Sequence, residues 1–239
     1  MRRRTSIAIV AGLAVVTLAG CATGGSSDSG DGIAIDASRP LEPQAKAAIL
    51  AGDLDAVEDA IAAGLDLSAD LASGISPTHA GGYTPLHIAA NAGKPDIVEY
   101  LLDQGAEVDA AGFWGETPLM LAGYNGEAET VRLLVDAGAS LTVGDRHDQT
   151  ALHYAAWGNN PDTMLVLIDA GADLEQRNYL GETILLIAAH ETNIEAIQVA
   201  IDAGADLEAV DDTGGTAVGL ALVHMRKDVA AYLEAAGAS

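Results

Sequence analysis

The sequence predicts an all-α solenoid of 33-residue units, each a helix–turn–helix followed by a β-hairpin-like finger. Threonines recur at intervals of 33 residues, as Thr84, Thr117, Thr150, Thr183 and Thr216. Gly-Ala pairs keep the same interval, at 105–106, 138–139, 171–172, 204–205 and 237–238. A fixed period of this length is typical of repeat proteins. Aromatic residues make up only 4% of the chain, which suits thin layers packed with small aliphatic side chains.

Residues 1–20 are expected to be a signal peptide. Three arginines at 2–4 precede an apolar run over 7–19, which is shorter than the roughly 20 residues of a membrane-spanning helix. The run ends in Leu-Ala-Gly-Cys at 18–21, which resembles the bacterial lipobox. That resemblance implies attachment of a diacylglycerol to Cys21 and cleavage just before it. An ordinary secretory signal with a chance cysteine is the alternative.

Residues 21–40 are rich in Gly, Ser and Asp, and we expect a disordered tether between the lipidated cysteine and the folded domain. In Gram-negative lipoproteins the residue after the cysteine directs sorting, and Ala22 favours the outer membrane, on its periplasmic face. In a Gram-positive cell the same signal implies the outer leaflet of the plasma membrane. The sequence predicts a lipid-anchored protein of the cell envelope in both cases.

The predicted repeat domain, 41–239, begins with a degenerate unit. Its Gly52, Val57, Ile61 and Gly64 align with Gly93, Val98, Leu102 and Gly105 at a spacing of 41 residues. The eight additional residues fall around 68–82 and predict a lengthened first finger. The helices of this unit carry several charged residues, as expected for a solvated terminal cap.

In the regular units, local signals define both helices. Thr84 suits the N-cap of the first helix and Pro85 its first position, where a missing N–H costs nothing. Gly93 fits the left-handed residue after that helix. Pro95 begins the second helix, and Gly105 ends it. The last unit has diverged to Thr-Ala-Val-Gly at 216–219 and forms the other cap.

The sequence Thr-Pro-Leu-His-Ile-Ala-Ala at 84–90, followed by Gly93 and the Gly-Ala pair at 105–106, resembles the ankyrin repeat. The resemblance covers about 41–239 and implies an ankyrin-repeat solenoid of about six repeats. It also implies a protein that binds another protein or peptide through its concave face and finger tips, rather than an enzyme. No cofactor is implied, and no catalytic motif is present in the sequence.

The registers that bind partners in this family contain six of the nine aromatic residues. Arg146 and His147 also occupy finger positions. The predicted partner-binding residues are Tyr83, Phe113, Trp114, Glu116, Tyr124, Trp157, Tyr179, Glu182, His190 and Glu191. The aromatic residues would anchor the partner, and the three glutamates would select its charge. The alternative is that the aromatic residues pack between repeats in a structural or protective envelope protein.

The histidines allow a third hypothesis. His87 and His153 lie in the repeat motif, and the resemblance implies that they bind neighbouring backbone. His147, His190 and His224 lie in binding registers near two glutamates. Two histidines and a carboxylate could hold zinc, so these residues suggest a metal-dependent hydrolase. However, neighbouring helices are about 8–10 Å apart, too far for converging zinc ligands. We therefore expect no metal site.

The net charge narrows the range of partners. The chain carries 11 basic and 35 acidic residues, for a charge of −24. Removing the three signal-peptide arginines leaves 8 basic residues and a charge of −27. This charge excludes nucleic acid and anionic lipid surfaces as electrostatic partners and favours a basic protein. The single cysteine excludes an internal disulfide framework.

Overall fold

A computed structural model describes residues 32–71, 82–191 and 194–238. The predicted signal peptide, Cys21 and most of the tether lie outside these residues, as do the side chain of Glu191 and positions 72–81 of the first finger. The helices are α1 Leu41–Ala51, α2 Leu54–Ala62, α3 Pro85–Asn91, α4 Pro95–Asp103, α5 Pro118–Asn125, α6 Ala128–Asp136, α7 Ala151–Trp157, α8 Pro161–Asp169, α9 Ile184–Glu191, α10 Ile194–Asp202, α11 Ala217–Val223 and α12 Lys227–Ala236.

The helices form two layers. Each odd-numbered helix packs against the even-numbered helix that follows it and against the next odd-numbered helix. The even-numbered helices contact one another in the same order. Among the described residues the only β pairing is one antiparallel bridge between Val210 and Thr216, so the predicted all-α solenoid is confirmed. No helix in this part of the chain is long and apolar enough to cross a membrane.

The predicted helix boundaries are confirmed where the signals are strongest. Thr84 is the N-cap of α3, with Pro85 at its first position. The Nδ1 atom of His87 accepts the backbone N–H of Thr84 at 3.1 Å, and its Nε2 atom lies 3.0 Å from the carbonyl oxygen of Glu116. Because a backbone N–H can only donate, Nδ1 is unprotonated and Nε2 donates to Glu116. His87 therefore joins its own helix to the next finger.

The helix ends follow the predicted glycines. Gly93 after α3 has φ +59° and Gly105 after α4 has φ +87°, a region in which glycine is not penalised. The Gly105 N–H donates to the carbonyl of Leu102 at 2.9 Å, and the Ala106 N–H donates to that of Leu101 at 3.0 Å. The Gly-Ala pair thus satisfies carbonyl groups that the end of α4 leaves unpaired.

Small residues allow the odd-numbered helices to approach one another. Ala90, Gly123, Ala156 and Ala189 occupy the same position in successive units, and all are buried. A Cβ atom at Gly123 would lie 3.0 Å from the carbonyl oxygen of Ala151 on the next odd-numbered helix. A small residue is therefore needed at this position wherever the helix of another unit packs against it.

The C-terminal part of the predicted tether differs from expectation. Ile33 and Ile35 pack against the core of the helical domain, and the Ile33 N–H donates to Oδ2 of Asp53 at 2.6 Å. The N–H of Asp36 donates to the Gln44 side chain at 2.7 Å. The two isoleucines bury apolar surface that a Gly/Ser/Asp tether lacks, so residues 33–36 belong to the folded domain.

Candidate partner-binding surface

Four fingers share one hairpin geometry, at 112–116, 145–149, 178–182 and 211–215. In the second, the Asp145 N–H donates to the Gln149 carbonyl at 3.0 Å. The Asp145 carboxylate also accepts the N–H groups of His147 and Gln149, at 2.8 and 2.9 Å. Asn178 and Asp211 play the same part in the third and fourth fingers. A side-chain acceptor at the first position therefore closes each of these three hairpins.

Backbone hydrogen bonds also join each finger tip to the next. The N–H of Arg146 donates to the carbonyl of Trp114 at 2.8 Å, and the N–H of Tyr179 donates to that of His147 at 2.9 Å. The N–H of Asp212 continues the series to Leu180 at 3.0 Å. The tips thus form one continuous strip in which each finger fixes the position of its neighbour.

Aromatic side chains follow this strip across three fingers. We call Phe113, Trp114, Arg146, His147 and Tyr179 the fingertip row. The Phe113 and Trp114 rings meet edge to face, with centroids 5.3 Å apart. The Trp114 and His147 rings are stacked at 6.2 Å, and those of His147 and Tyr179 lie 4.8 Å apart. The Arg146 guanidinium lies 3.6 Å from the Trp114 ring centroid, a cation–π contact.

The fingertip row is accessible to solvent at several points. Phe113 is 39% exposed and Tyr179 is 42% exposed; Arg146 is also exposed, while Trp114 and His147 are half-buried. Arg146 and His147 were not among the predicted binding residues. The alignment of the repeats could have identified them, because Arg146 aligns with Phe113 and Tyr179, and His147 aligns with Trp114.

Glu116 lies inside its finger rather than at the surface. Glu116 is 3% exposed. Its Oε1 atom accepts a hydrogen bond from the Tyr83 hydroxyl at 3.0 Å, and its Oε2 atom accepts one from the backbone N–H of Trp114 at 2.8 Å. This finger has Gly112 where the others have Asp or Asn, and the Glu116 carboxylate replaces the missing acceptor. Burial, with the nearby Glu116 charge, raises the pKa of Tyr83, so its hydroxyl remains a donor. The expected role of Glu116 in charge selection does not fit this position.

Glu182 is likewise internal. Its Oε2 atom accepts from the Asn178 amide at 2.9 Å, and its Oε1 atom accepts from Nε2 of His190 at 3.1 Å. Burial acts to raise the pKa of Glu182, but the hydrogen bonds from His190 and Asn178 outweigh it and lower the pKa. Glu182 and His190 are thus joined by a hydrogen bond between two side chains that are only 9% and 12% exposed, which leaves little of either side chain for a partner.

The remaining predicted aromatic residues are half-buried. Tyr83, Tyr124 and Trp157 pack against the hydrophobic core, and the Trp157 ring lies 6.1 Å from that of Tyr154. The two exposed rings, Phe113 and Tyr179, therefore both lie at finger tips, whereas the first-helix residues Tyr124 and Trp157 are used partly in packing. Tyr124 and Trp157 are thus a second, less exposed part of the predicted surface.

The suggested zinc ligands do not come together. The His190 and His224 rings are 5.1 Å apart, which is closer than the spacing expected from helix packing. His147, however, belongs to the fingertip row. Within the described residues, no group of three or more His, Cys, Asp or Glu side chains is arranged to hold a metal ion.

Comparison with known proteins identifies the repeat. The family model for ankyrin repeats in three copies matches residues 107–178 and 152–239, and that for a single ankyrin repeat matches 81–112. Protein phosphatase 1 regulatory subunit 27 from Mus musculus is 41% identical over 64 residues, covering 27% of this chain and 36% of that protein. Myotrophin from Xenopus tropicalis is 41% identical over 59 residues, covering 25% of this chain and 43% of that protein.

The chain spans less than half the length of these curated relatives, so they inform the repeat rather than the whole protein. The family models cover more than half of this chain. Together with the two helix layers and the recurring fingers, these matches show that the chain belongs to the ankyrin-repeat family.

Proposed function

We propose that this chain is a membrane-anchored, extracytoplasmic ankyrin-repeat protein that binds another protein, and that the fingertip row is its main contact. The observation that carries the proposal is the exposed aromatic row on three consecutive, hydrogen-bonded finger tips. Aromatic residues and arginine are the side chains most enriched at interface hot spots. One relative is, by its name, a regulatory subunit of a phosphatase, which supports a binding role rather than catalysis.

The row suits a partner segment with apolar side chains. Phe113 and Tyr179 offer exposed rings at either end of the row, and the backbone bonds between tips hold them in place, so little conformational entropy is lost on binding. Because Glu116 and Glu182 are internal, they do not select charge. The net charge of the chain favours a basic partner at longer range, through the rate of encounter.

A crosslinking pull-down from the native envelope tests the binding role. The Phe113→Ala/Tyr179→Ala variant removes the two most exposed rings of the row. Leu165→Ala is the matched control, because Leu165 is an exposed apolar residue on α8, in the other helix layer. We expect a partner captured by the wild type and the control but lost with the double variant. Identical captures by all three proteins would contradict the proposal.

The membrane anchor is a separate part of the proposal. It rests on the three arginines, the apolar run of signal-peptide length and the Leu-Ala-Gly-Cys sequence that ends at Cys21. Two or more acyl chains give stable membrane attachment. Mass spectrometry of the mature N-terminus tests it: we expect a diacylglyceryl cysteine in the membrane fraction, and release of a Cys21→Ser variant. An unmodified mature N-terminus would contradict it.

A structural role without a defined partner is the second candidate. The packing of Tyr124 and Trp157 against the core favours it, because these rings already have a stabilising role. This candidate predicts that Tyr124→Ala and Trp157→Ala destabilise the domain, and that Phe113→Ala/Tyr179→Ala leaves envelope interactions unchanged. Binding that is lost only with the fingertip variant would exclude it.

A further inference from the structure

The last described unit ends in an exposed apolar surface. Leu222 and Val223 lie at the end of α11, and Met225 follows in the turn to α12. Leu222 is 52% exposed, Val223 75% and Met225 85%. We call these three residues the end face. An outer surface of a repeat stack that remains in solvent is ordinarily polar, so this apolar composition requires a physical reason.

The repeat register shows what this surface is shaped to contact. Leu222 aligns with Ala90, Gly123, Ala156 and Ala189, which are buried by the odd-numbered helix of the next unit. In α11 the position has a large apolar side chain in place of a small one. The substitution enlarges the apolar area at the place where another helix layer would pack.

Met225 adds to the apolar area of the end face. It has φ +59°, the left-handed conformation that Gly93 and Gly126 adopt at the aligned positions. A Cβ atom at Gly93 would collide with Glu127 of the next unit, and one at Gly126 would collide with Asn160. The Cβ atom of Met225 therefore points towards the space that the next unit occupies beside Gly93 and Gly126. A residue other than Gly, Asn or Asp costs about 1 kcal/mol in this conformation, which favours a role for the side chain itself.

Charge favours a second copy of the chain as the occupant. Residues 183–215 contain seven acidic residues and no Lys or Arg, whereas 216–239 contain two of each sign. Two copies of a protein with a charge of −24 repel each other across most approaches. Residues 216–239 carry no net side-chain charge, so the repulsion between two copies is weakest when they approach through their C-terminal units. The adjacent Lys227 and Asp228 supply both signs, as a self-complementary contact requires.

From these observations we infer that the end face binds the end face of a second copy, in a two-fold dimer joined at the C-terminal units. Leu222, Val223 and Met225 of each copy pack against the same residues of the other. The contact covers the same position that the next odd-numbered helix covers in the preceding units, and it leaves the fingertip row of each copy accessible.

Sedimentation equilibrium of the full chain carrying Cys21→Ser tests the dimer without a lipid anchor. We expect a concentration-dependent mass that approaches two copies. In Val223→Asp/Met225→Asp the dissociation constant is expected to rise roughly tenfold or more, because apolar centres of interfaces dominate binding. Leu165→Asp, which places one negative charge at an exposed apolar residue on α8, is expected to dimerise like the parent.

A cysteine crosslink tests whether the contact is two-fold or head-to-tail. In a two-fold contact, Val223→Cys in the Cys21→Ser background meets its own counterpart, and we expect it to form an oxidised dimer, whereas Leu165→Cys does not. A parent chain that remains monomeric at every concentration would overturn the inference. Masses that grow beyond two copies would also overturn it, because they indicate a head-to-tail contact between different surfaces.

Discussion

The hydroxyl of Tyr83 donates to Oε1 of Glu116, 33 residues later, at a distance of 3.0 Å. The other oxygen of this buried carboxylate accepts the backbone N–H of Trp114. Tyr83, a residue of one unit, therefore supports the finger of the next unit. A Cβ atom at Gly112 would lie 2.6 Å from the Tyr83 ring and 3.0 Å from Oε2 of Glu116. The usual aspartate therefore cannot be accommodated beside this pair.

Tyr83→Phe removes the hydroxyl and leaves a buried carboxylate oxygen without its donor. We expect a loss of about 1–3 kcal/mol in the free energy of unfolding, the cost of an unsatisfied buried group. Urea denaturation measures it. Tyr124→Phe is the matched control, because Tyr124 is also half-buried and its hydroxyl has no hydrogen bond to the described residues. Equal stabilities of the two variants would show that the Tyr83 bond contributes nothing.

Acidification is expected to destabilise the domain through His87. Burial lowers the pKa of His87 from 6.5 to about 4, so below pH 6.5 the unfolded chain binds a proton that the folded chain excludes. Stability is therefore retained above pH 6.5 and lost progressively towards pH 4, by about 3 kcal/mol for this group. Burial lowers the pKa of His153 as well. The hydrogen bonds of Glu182 lower its pKa in turn, which adds a loss of stability at still lower pH.

Unfolding free energies between pH 7.5 and pH 4 test this prediction. His87→Gln is expected to be less stable than the wild type at pH 7.5 but to lose less stability on acidification. The remaining dependence of its unfolding free energy on pH is due to His153 and the carboxylates. The control is His224→Gln, at an exposed position, which is expected to keep the slope of the wild type. A His87→Gln profile parallel to that of the wild type would contradict the assignment.

Arg146 shields one face of Trp114, and its removal is expected to change the fluorescence of that residue. Trp157→Phe leaves Trp114 as the one tryptophan of the two in the chain. In that background, Arg146→Ala is expected to increase quenching by acrylamide and to cost about 0.5–1 kcal/mol of stability. Arg177→Ala is the control, because Arg177 donates to the carbonyls of Gly181 and Val210 instead. Unchanged quenching with Arg146→Ala would exclude the stacked arrangement in solution.

Met225→Gly is expected to have opposite effects on the monomer and on self-association. Glycine relieves the left-handed conformation, so the monomer should gain about 0.5–1 kcal/mol of stability at low concentration. The same change removes apolar surface from the end face and should weaken dimerisation. Asn159→Gly is the comparison, because asparagine tolerates φ +56° and the gain should be smaller. A destabilised Met225→Gly monomer would show that the side chain supports its own unit instead.

The helices were predictable because their signals are local. Thr84 and Pro85 define a helix start, and Gly105-Ala106 defines an end, through contacts within a few residues. The fingers depend on contacts between units, and these were harder to predict. The sequence shows that Gly112 lacks the usual aspartate, but not that Glu116 turns inward to replace it, because the replacement also requires Tyr83 from the preceding unit.

The fingertip row was predictable only in part, for a similar reason. Phe113, Trp114 and Tyr179 stand out by residue type, but Arg146 and His147 join the row through ring contacts with the neighbouring fingers. Composition also failed at residues 33–36, where two isoleucines in a Gly/Ser/Asp-rich segment were sufficient to attach the chain to the domain. In each case the missed contact lies between segments distant in sequence.

The bonds between finger tips have a consequence for how this surface changes over evolutionary time. They join main-chain amides and carbonyls at Trp114, Arg146, His147 and Tyr179, and these main-chain groups are the same in every residue except proline, which has no N–H. Exposed side chains in the row can therefore be exchanged one at a time while the strip that presents them persists. Point substitutions at the tips can therefore change the chemistry of this surface while the backbone that supports it stays the same.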